Sequence, residues 1–65
     1  MGRLTLDHLF NICNKKIREL EDFMAEGGCK DYPHYRELCG IIRGLRTAQS
    51  EIADLVQRNK DFDDD

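Results

Sequence analysis

The sequence predicts an all-α protein, an antiparallel hairpin of two helices. Apolar residues recur at spacings of three and four in two long segments, which is the period of a helix. A Gly-Gly pair separates the two segments. The composition also favours helices, because 35% of the 65 residues are charged and only one is proline.

The first helix is predicted to run from about residue 6 to 26. Its apolar positions form a nearly regular heptad seam, which Leu9 and Phe23 widen. Thr5 or Asp7 would place a capping oxygen or a negative charge in the first turn. The seam consists of Leu6, Phe10, Cys13, Ile17, Leu20 and Met24.

Residues 27–31 are predicted to form the turn. Gly27 and Gly28 end the first helix, since glycine adopts the left-handed conformation that closes a helix. Asp31 is the expected N-cap of the second helix, and Pro33 suits its first turn. The connection is short, so the two helices should be antiparallel neighbours.

The second helix is predicted from about residue 32 to 59, and it organises the chain. Its apolar stripe is wide enough to bury two sides, so we expect it to need more than one neighbour. Residues 1–60 would form the hairpin, and residues 61–65, DFDDD, an acidic flexible tail. Two seams overlap on this helix: Leu38-Ile41-Leu45-Ala48-Ile52-Leu55 and Tyr35-Leu38-Ile42-Leu45-Gln49-Ile52-Val56.

A two-helix chain of this length buries a thin core and is marginal alone. We therefore expect it to assemble as a four-helix bundle or to dock on a larger protein. The predicted interface consists of Leu38, Gly40, Ile41, Gly44, Leu45, Ala48, Ile52, Leu55 and Val56.

Gly40, Gly44 and Ala48 form a row of small residues within the second helix. Each glycine should cost roughly 1 kcal/mol of helix stability relative to alanine. Such a row lets another backbone approach closely. It would either seat the first helix inside the hairpin or mark a crossing point with a second molecule.

Arg36, Arg43 and Arg46 lie near one face of the second helix. They form either a solvated helix face or a patch that steers an acidic or phosphate-bearing partner. Without DFDDD the chain has nine acidic residues against ten Lys and Arg, which argues against nucleic-acid binding driven by bulk charge.

No catalytic, cofactor or metal site is predicted. The chain has no Cys-x-x-Cys or His-x-x-x-His pair, and no nucleophile with a neighbouring base. Its three cysteines fit reduced thiols better than a disulfide framework. We expect no signal peptide and no membrane span, because no apolar run is long enough.

The segment CKDYPHYRELCGIIRGL resembles small proteins encoded by tailed bacteriophages, often podophages. These share a first helix, a similar turn, the pattern Tyr-Arg-x-Leu-Cys-Gly-x-Ile-Arg-Gly-Leu and an acidic tail. The resemblance covers about residues 28 to 58 and implies a phage origin, but it brings no catalytic residue. The matching positions are Tyr35, Arg36, Leu38, Cys39, Gly40, Ile42, Arg43, Gly44 and Leu45.

Three functions follow as hypotheses. The first is a non-enzymatic assembly module, a phage virion or accessory protein that forms a homo-oligomer or binds a larger phage or host protein. The second is a host-takeover factor that inhibits a bacterial enzyme, with the acidic tail imitating nucleic-acid charge. The third is a small nucleic-acid-binding dimer. The expected location is the bacterial host cytoplasm or the virion.

Overall fold

A computed structural model of the chain describes the backbone of residues 3–63 and the side chains of residues 5–58. Over that range the chain forms two helices, α1 (Arg3–Ala25) and α2 (Tyr32–Asp63). They pack against each other as an antiparallel hairpin 52 Å long and 15 Å across. The predicted all-α hairpin is confirmed.

Each helix extends beyond its predicted bounds at one end, α1 at its start and α2 at its end. α1 begins at Arg3, so Thr5 and Asp7 lie inside the helix and do not cap it. α2 continues to Asp63 and does not end near residue 59, because no glycine or proline follows Gly44 to stop it. The backbone of residues 61–63, in the predicted flexible tail, is helical, and residues 64–65 lie outside the described residues, so the tail stays a prediction.

The turn begins with a Schellman motif at the end of α1. Gly27 has φ of 81°, the left-handed conformation. Its N–H donates to the Met24 carbonyl at 3.1 Å, and the Gly28 N–H donates to the Phe23 carbonyl at 2.9 Å. These two bonds satisfy carbonyls that the helix end leaves without a partner, so the Gly-Gly pair fixes where α1 stops.

Two hydrogen bonds of His34 hold the start of α2. The Asp31 Oδ1 accepts the His34 N–H at 2.9 Å, which confirms the predicted N-cap. The His34 Nδ1 in turn accepts the Lys30 N–H at 3.1 Å. The His34 ring also meets the edge of the Phe23 ring at 6.2 Å. The turn is thereby tied to both helices.

The core between the helices is thin. Among the described side chains only three apolar ones are buried: Leu6, Ile17 and Leu38, with 6%, 4% and 7% of their surface exposed. All three lie on predicted seams. The hairpin therefore leaves much of its apolar surface uncovered, and the position of that surface defines the candidate site.

Candidate protein interface

From Leu38 onward the second of the two predicted seams of α2 faces α1, whereas its first residue, Tyr35, is 45% exposed. Leu38 is buried, and the seam positions after it are at least half-buried. The Gln49 side chain on this seam donates from Nε2 to the Phe10 carbonyl at 3.2 Å. Ile41 and Leu55, which belong only to the other seam, remain 44% and 45% exposed. The half-buried positions are Ile42, Leu45, Gln49, Ile52 and Val56.

An apolar groove of about 610 Å³ runs along one side of the hairpin. It lies between α1 and α2, and two charged side chains of α1, Lys16 and Glu19, line it beside apolar ones. The apolar lining consists of Leu20, Phe23, Leu38, Ile41 and Leu45.

The apolar surface continues past both ends of this groove. Leu9 and Ile12 precede Lys16 by seven and four residues, so they lie on the same side of α1. Ala48 and Leu55 follow Ile41 by seven and fourteen residues on α2. We call the whole surface the open face, and it comprises Leu9, Ile12, Leu20, Phe23, Ile41, Leu45, Ala48 and Leu55.

α1 does not pack against the row of small residues, Gly40, Gly44 and Ala48, at its two glycines. A Cβ built on Gly40 or Gly44 would have nothing within 4 Å, and both glycines are exposed. The first interpretation of the row is therefore wrong. By helical spacing Gly44 lies next to Ala48 at the edge of the open face, whereas Gly40 lies further around the helix, in a cleft on the outer side.

The other side of the hairpin is more polar, with one apolar cleft near its open end where Phe10, 36% exposed, lies beside Ala53 and Val56. The Arg46 guanidinium binds the Glu21 carboxylate at 2.7 Å and links the two helices. The pair is about half exposed, so it should contribute less than about 1 kcal/mol to stability. Arg46 also lines a cleft with Arg43, and its ion pair with Glu21 offsets part of the positive charge there.

Arg36 and Arg43 line the outer cleft together with Gly40. The Arg36 Nη1 donates to the Tyr32 Oη at 3.4 Å, and the Tyr32 and Tyr35 rings stack at 6.2 Å with 24° between their planes. The cleft is on the outer surface of α2. These two arginines are therefore separated from the open face and could steer a partner only from outside the apolar contact.

One ionisable group in this cleft is perturbed. The pKa of the Tyr35 phenol lies above its ordinary value, chiefly because of a hydrogen bond with the Cys39 side chain one turn further along. Ionisation would remove the phenol proton that this hydrogen bond uses, so the bond favours the neutral form.

Within the described part of the chain, no group of three or more potential metal ligands comes together. Cys13, Cys29 and Cys39 are free thiols, each half-buried. Neither described helix is sufficiently long and apolar to cross a lipid bilayer.

No known protein family, curated protein or solved structure matches this chain. The resemblance to small phage proteins therefore stays a prediction.

The structure divides the predicted interface residues into two groups. Ile41, Leu45, Ala48 and Leu55 belong to the open face, with Gly44 at its edge. The others, Leu38, Ile52 and Val56, pack mainly toward α1, and Gly40 lies in the outer cleft.

The interface predicted from the sequence contains no residue of α1. Leu9, Ile12 and Phe23 are 38%, 42% and 43% exposed and supply half of the open face with Leu20. A second row of apolar positions at helical spacing, Leu9-Ile12-Leu20-Phe23 interrupted by Lys16, was the signal that could have revealed them.

Proposed function

We propose that the chain is a non-enzymatic assembly module whose open face packs against a helical surface of another subunit or protein. The position of the exposed apolar side chains supports this proposal. Five large ones lie on this one side of the hairpin, and each exposes more than a third of its surface: Leu9, Ile12, Phe23, Ile41 and Leu55. Exposed apolar patches of this kind are typical of protein contacts.

The total surface supports the same proposal. The accessible surface is 5206 Å². A compact monomer of this mass, 7.6 kDa, would expose roughly 4,300 Å². The difference, about 900 Å², is close to what one partner buries in an interface of standard size. Part of this excess comes from the elongated shape, 52 Å by 15 Å, so the area supports the proposal only together with the apolar open face.

The shape of the open face favours a helical partner. Its groove lies between two antiparallel helices, and a third helix can place its apolar ridge into such a groove. Two helices of another hairpin would complete a four-helix bundle in this way.

Taken together with the phage resemblance, we propose that the chain is a virion component or an accessory protein that acts in the host. A virion role is the one we favour, because assembly of small helical subunits needs only a packing surface. Binding to a host enzyme is the alternative, and it would use the same open face.

The test compares two substitutions at equally exposed positions of α2. Ile41 and Tyr35 expose 44% and 45% of their surface, but only Ile41 lies on the open face. Ile41→Glu should weaken assembly by about 2–3 kcal/mol for each buried copy, since it replaces apolar burial with a charge. Tyr35→Glu should leave assembly unchanged.

The readout is native mass spectrometry of the tagged protein and of both variants, alone and recovered from a bacterial lysate. Loss of assembly in Ile41→Glu alone supports the proposal. A wild-type chain that is a monomer with a sharp thermal transition, and that retains no partner, would refute it. Equal loss in both variants would also refute it, because the contact would then not depend on the open face.

A further inference from the structure

We infer that the partner at the open face is a second copy of this chain, placed end over end, so that the two turns lie at opposite ends of a four-helix bundle. In this arrangement α1 packs on α1 and α2 packs on α2 of the second copy, each pair antiparallel. The inference rests on the proposed function and adds the partner and its orientation.

The distribution of charge along the hairpin favours this orientation. The half next to the turn, residues 17–44, carries six acidic and four basic residues, a net charge of −2. The segments of the open end that lie opposite this half in the dimer, residues 3–16 and 45–58, carry three acidic and five basic residues, a net charge of +2. Residues 59–65, with one basic and four acidic residues, are not counted because α2 beyond residue 58 extends past the turn of the second copy. An end-over-end dimer places each negative half against a positive half, whereas a dimer with both turns together places like charges side by side.

The charged residues of the groove fit the same symmetry. Lys16 and Glu19 are the two charged residues that line it, and they lie three residues apart on α1. When α1 meets α1 of the second copy in the opposite direction, Lys16 of each copy lies opposite Glu19 of the other. The symmetry axis then passes between these two positions and gives two equivalent ion pairs.

The row of small residues lies at the level of this axis. Lys16 and Glu19 share the groove with Ile41 and Leu45 of α2, so Gly44 lies at about the same height along the hairpin. Gly44 has no neighbour within 4 Å of its Cβ position. It is thus placed where α2 would cross α2 of the second copy, and the missing side chain allows the two backbones to approach closely.

The first experiment measures the mass of the full chain in solution by sedimentation equilibrium at micromolar concentrations. We expect twice 7.6 kDa for the wild type. Gly44→Leu should shift the dimer dissociation constant upward by at least 100-fold, because the new side chain separates the two α2 helices. Gly40→Leu is the matched control, since its Cβ position is equally open but lies in the outer cleft, and it should leave the constant unchanged.

The second experiment measures the orientation. Cys13, Cys29 and Cys39 are replaced by alanine, and Lys30, an exposed turn residue, is changed to cysteine and spin-labelled. In the end-over-end dimer each Lys30 lies roughly 20 Å along the hairpin from the symmetry axis at the level of Gly44, so the two labels should be about 40 Å apart. With both turns at one end they would lie within about 20 Å, two helix diameters.

The possible contrary results contradict different parts of the inference: the orientation, the crossing at Gly44 or the identity of the partner. A dimer with the labels within 20 Å overturns the orientation while the assembly module stands. A dimer that tolerates Gly44→Leu overturns the crossing at Gly44. If the wild type is a monomer that binds a different protein and Ile41→Glu loses that protein, the second copy is not the partner but the proposed function stands. If the wild type is a monomer that binds nothing, both proposals are wrong.

Discussion

The Phe23 ring lies over Gly28 in the space that a side chain at that position would fill. A Cβ built on Gly28 would be 2.5 Å from the ring Cζ atom. The same two residues are joined by the backbone hydrogen bond of the Schellman motif. Packing of the ring therefore favours glycine at position 28, whereas the left-handed conformation of the turn is needed only at Gly27. The same ring also contacts His34 at the start of α2.

Gly28→Ala should destabilise the hairpin by about 1–2 kcal/mol, because the Phe23 ring must move and lose its contact with His34. Urea unfolding followed by circular dichroism measures the change. The control is a double-mutant cycle with Phe23→Ala. Once the ring is removed, the cost of Gly28→Ala should largely disappear, and an undiminished cost would mean that the backbone, not the ring, requires glycine.

Gly40→Ala should have the opposite sign. Gly40 lies within α2 with ordinary helical backbone, and its Cβ position is open. Alanine should therefore stabilise the helix by roughly 0.5–1 kcal/mol. An increase in thermal midpoint, at an unchanged sedimentation mass, is the expected result. A lower midpoint would show that something packs on Gly40 in the assembled protein.

Asp31→Ala should destabilise α2 by about 1 kcal/mol, because the His34 N–H loses its capping oxygen. Asp31→Asn is the matched control, since asparagine keeps an acceptor oxygen at this position and caps helices about equally well. Chemical denaturation distinguishes the two variants. If asparagine were as costly as alanine, the carboxylate charge would matter more than the hydrogen bond.

Tyr35 should ionise at higher pH than an ordinary tyrosine, and Cys39→Ala should lower its pKa. Titration of the tyrosinate absorbance in a Tyr32→Phe background measures this, with Cys13→Ala as the control substitution. A raised folded-state pKa means that the neutral phenol is favoured in the fold. The associated stability is present below the ordinary pKa and is lost as the pH rises through the raised value.

The local features of this protein follow from short stretches of sequence. The Gly27-Gly28 pair and Asp31 determined the turn, because a left-handed glycine and a capping carboxylate act on backbone groups within five residues. The helical seams followed from spacing alone. The start of α1 and the end of α2 were less predictable. No strong capping signal precedes α1 at Arg3, and neither glycine nor proline follows Gly44 to end α2.

The choice between the two seams of α2 was decided by the tertiary structure. Both seams contain Leu38 and Leu45 at suitable spacings, so periodicity cannot rank them. Packing against α1 covers Ile42 and leaves Ile41 exposed, and it turns Gly44 away from α1. The open face exists only because of that rotation, which depends on how the side chains of two helices interlock. The sequence by itself determined two helices and a turn, and the packing of one helix on the other determined which surface remains for a partner.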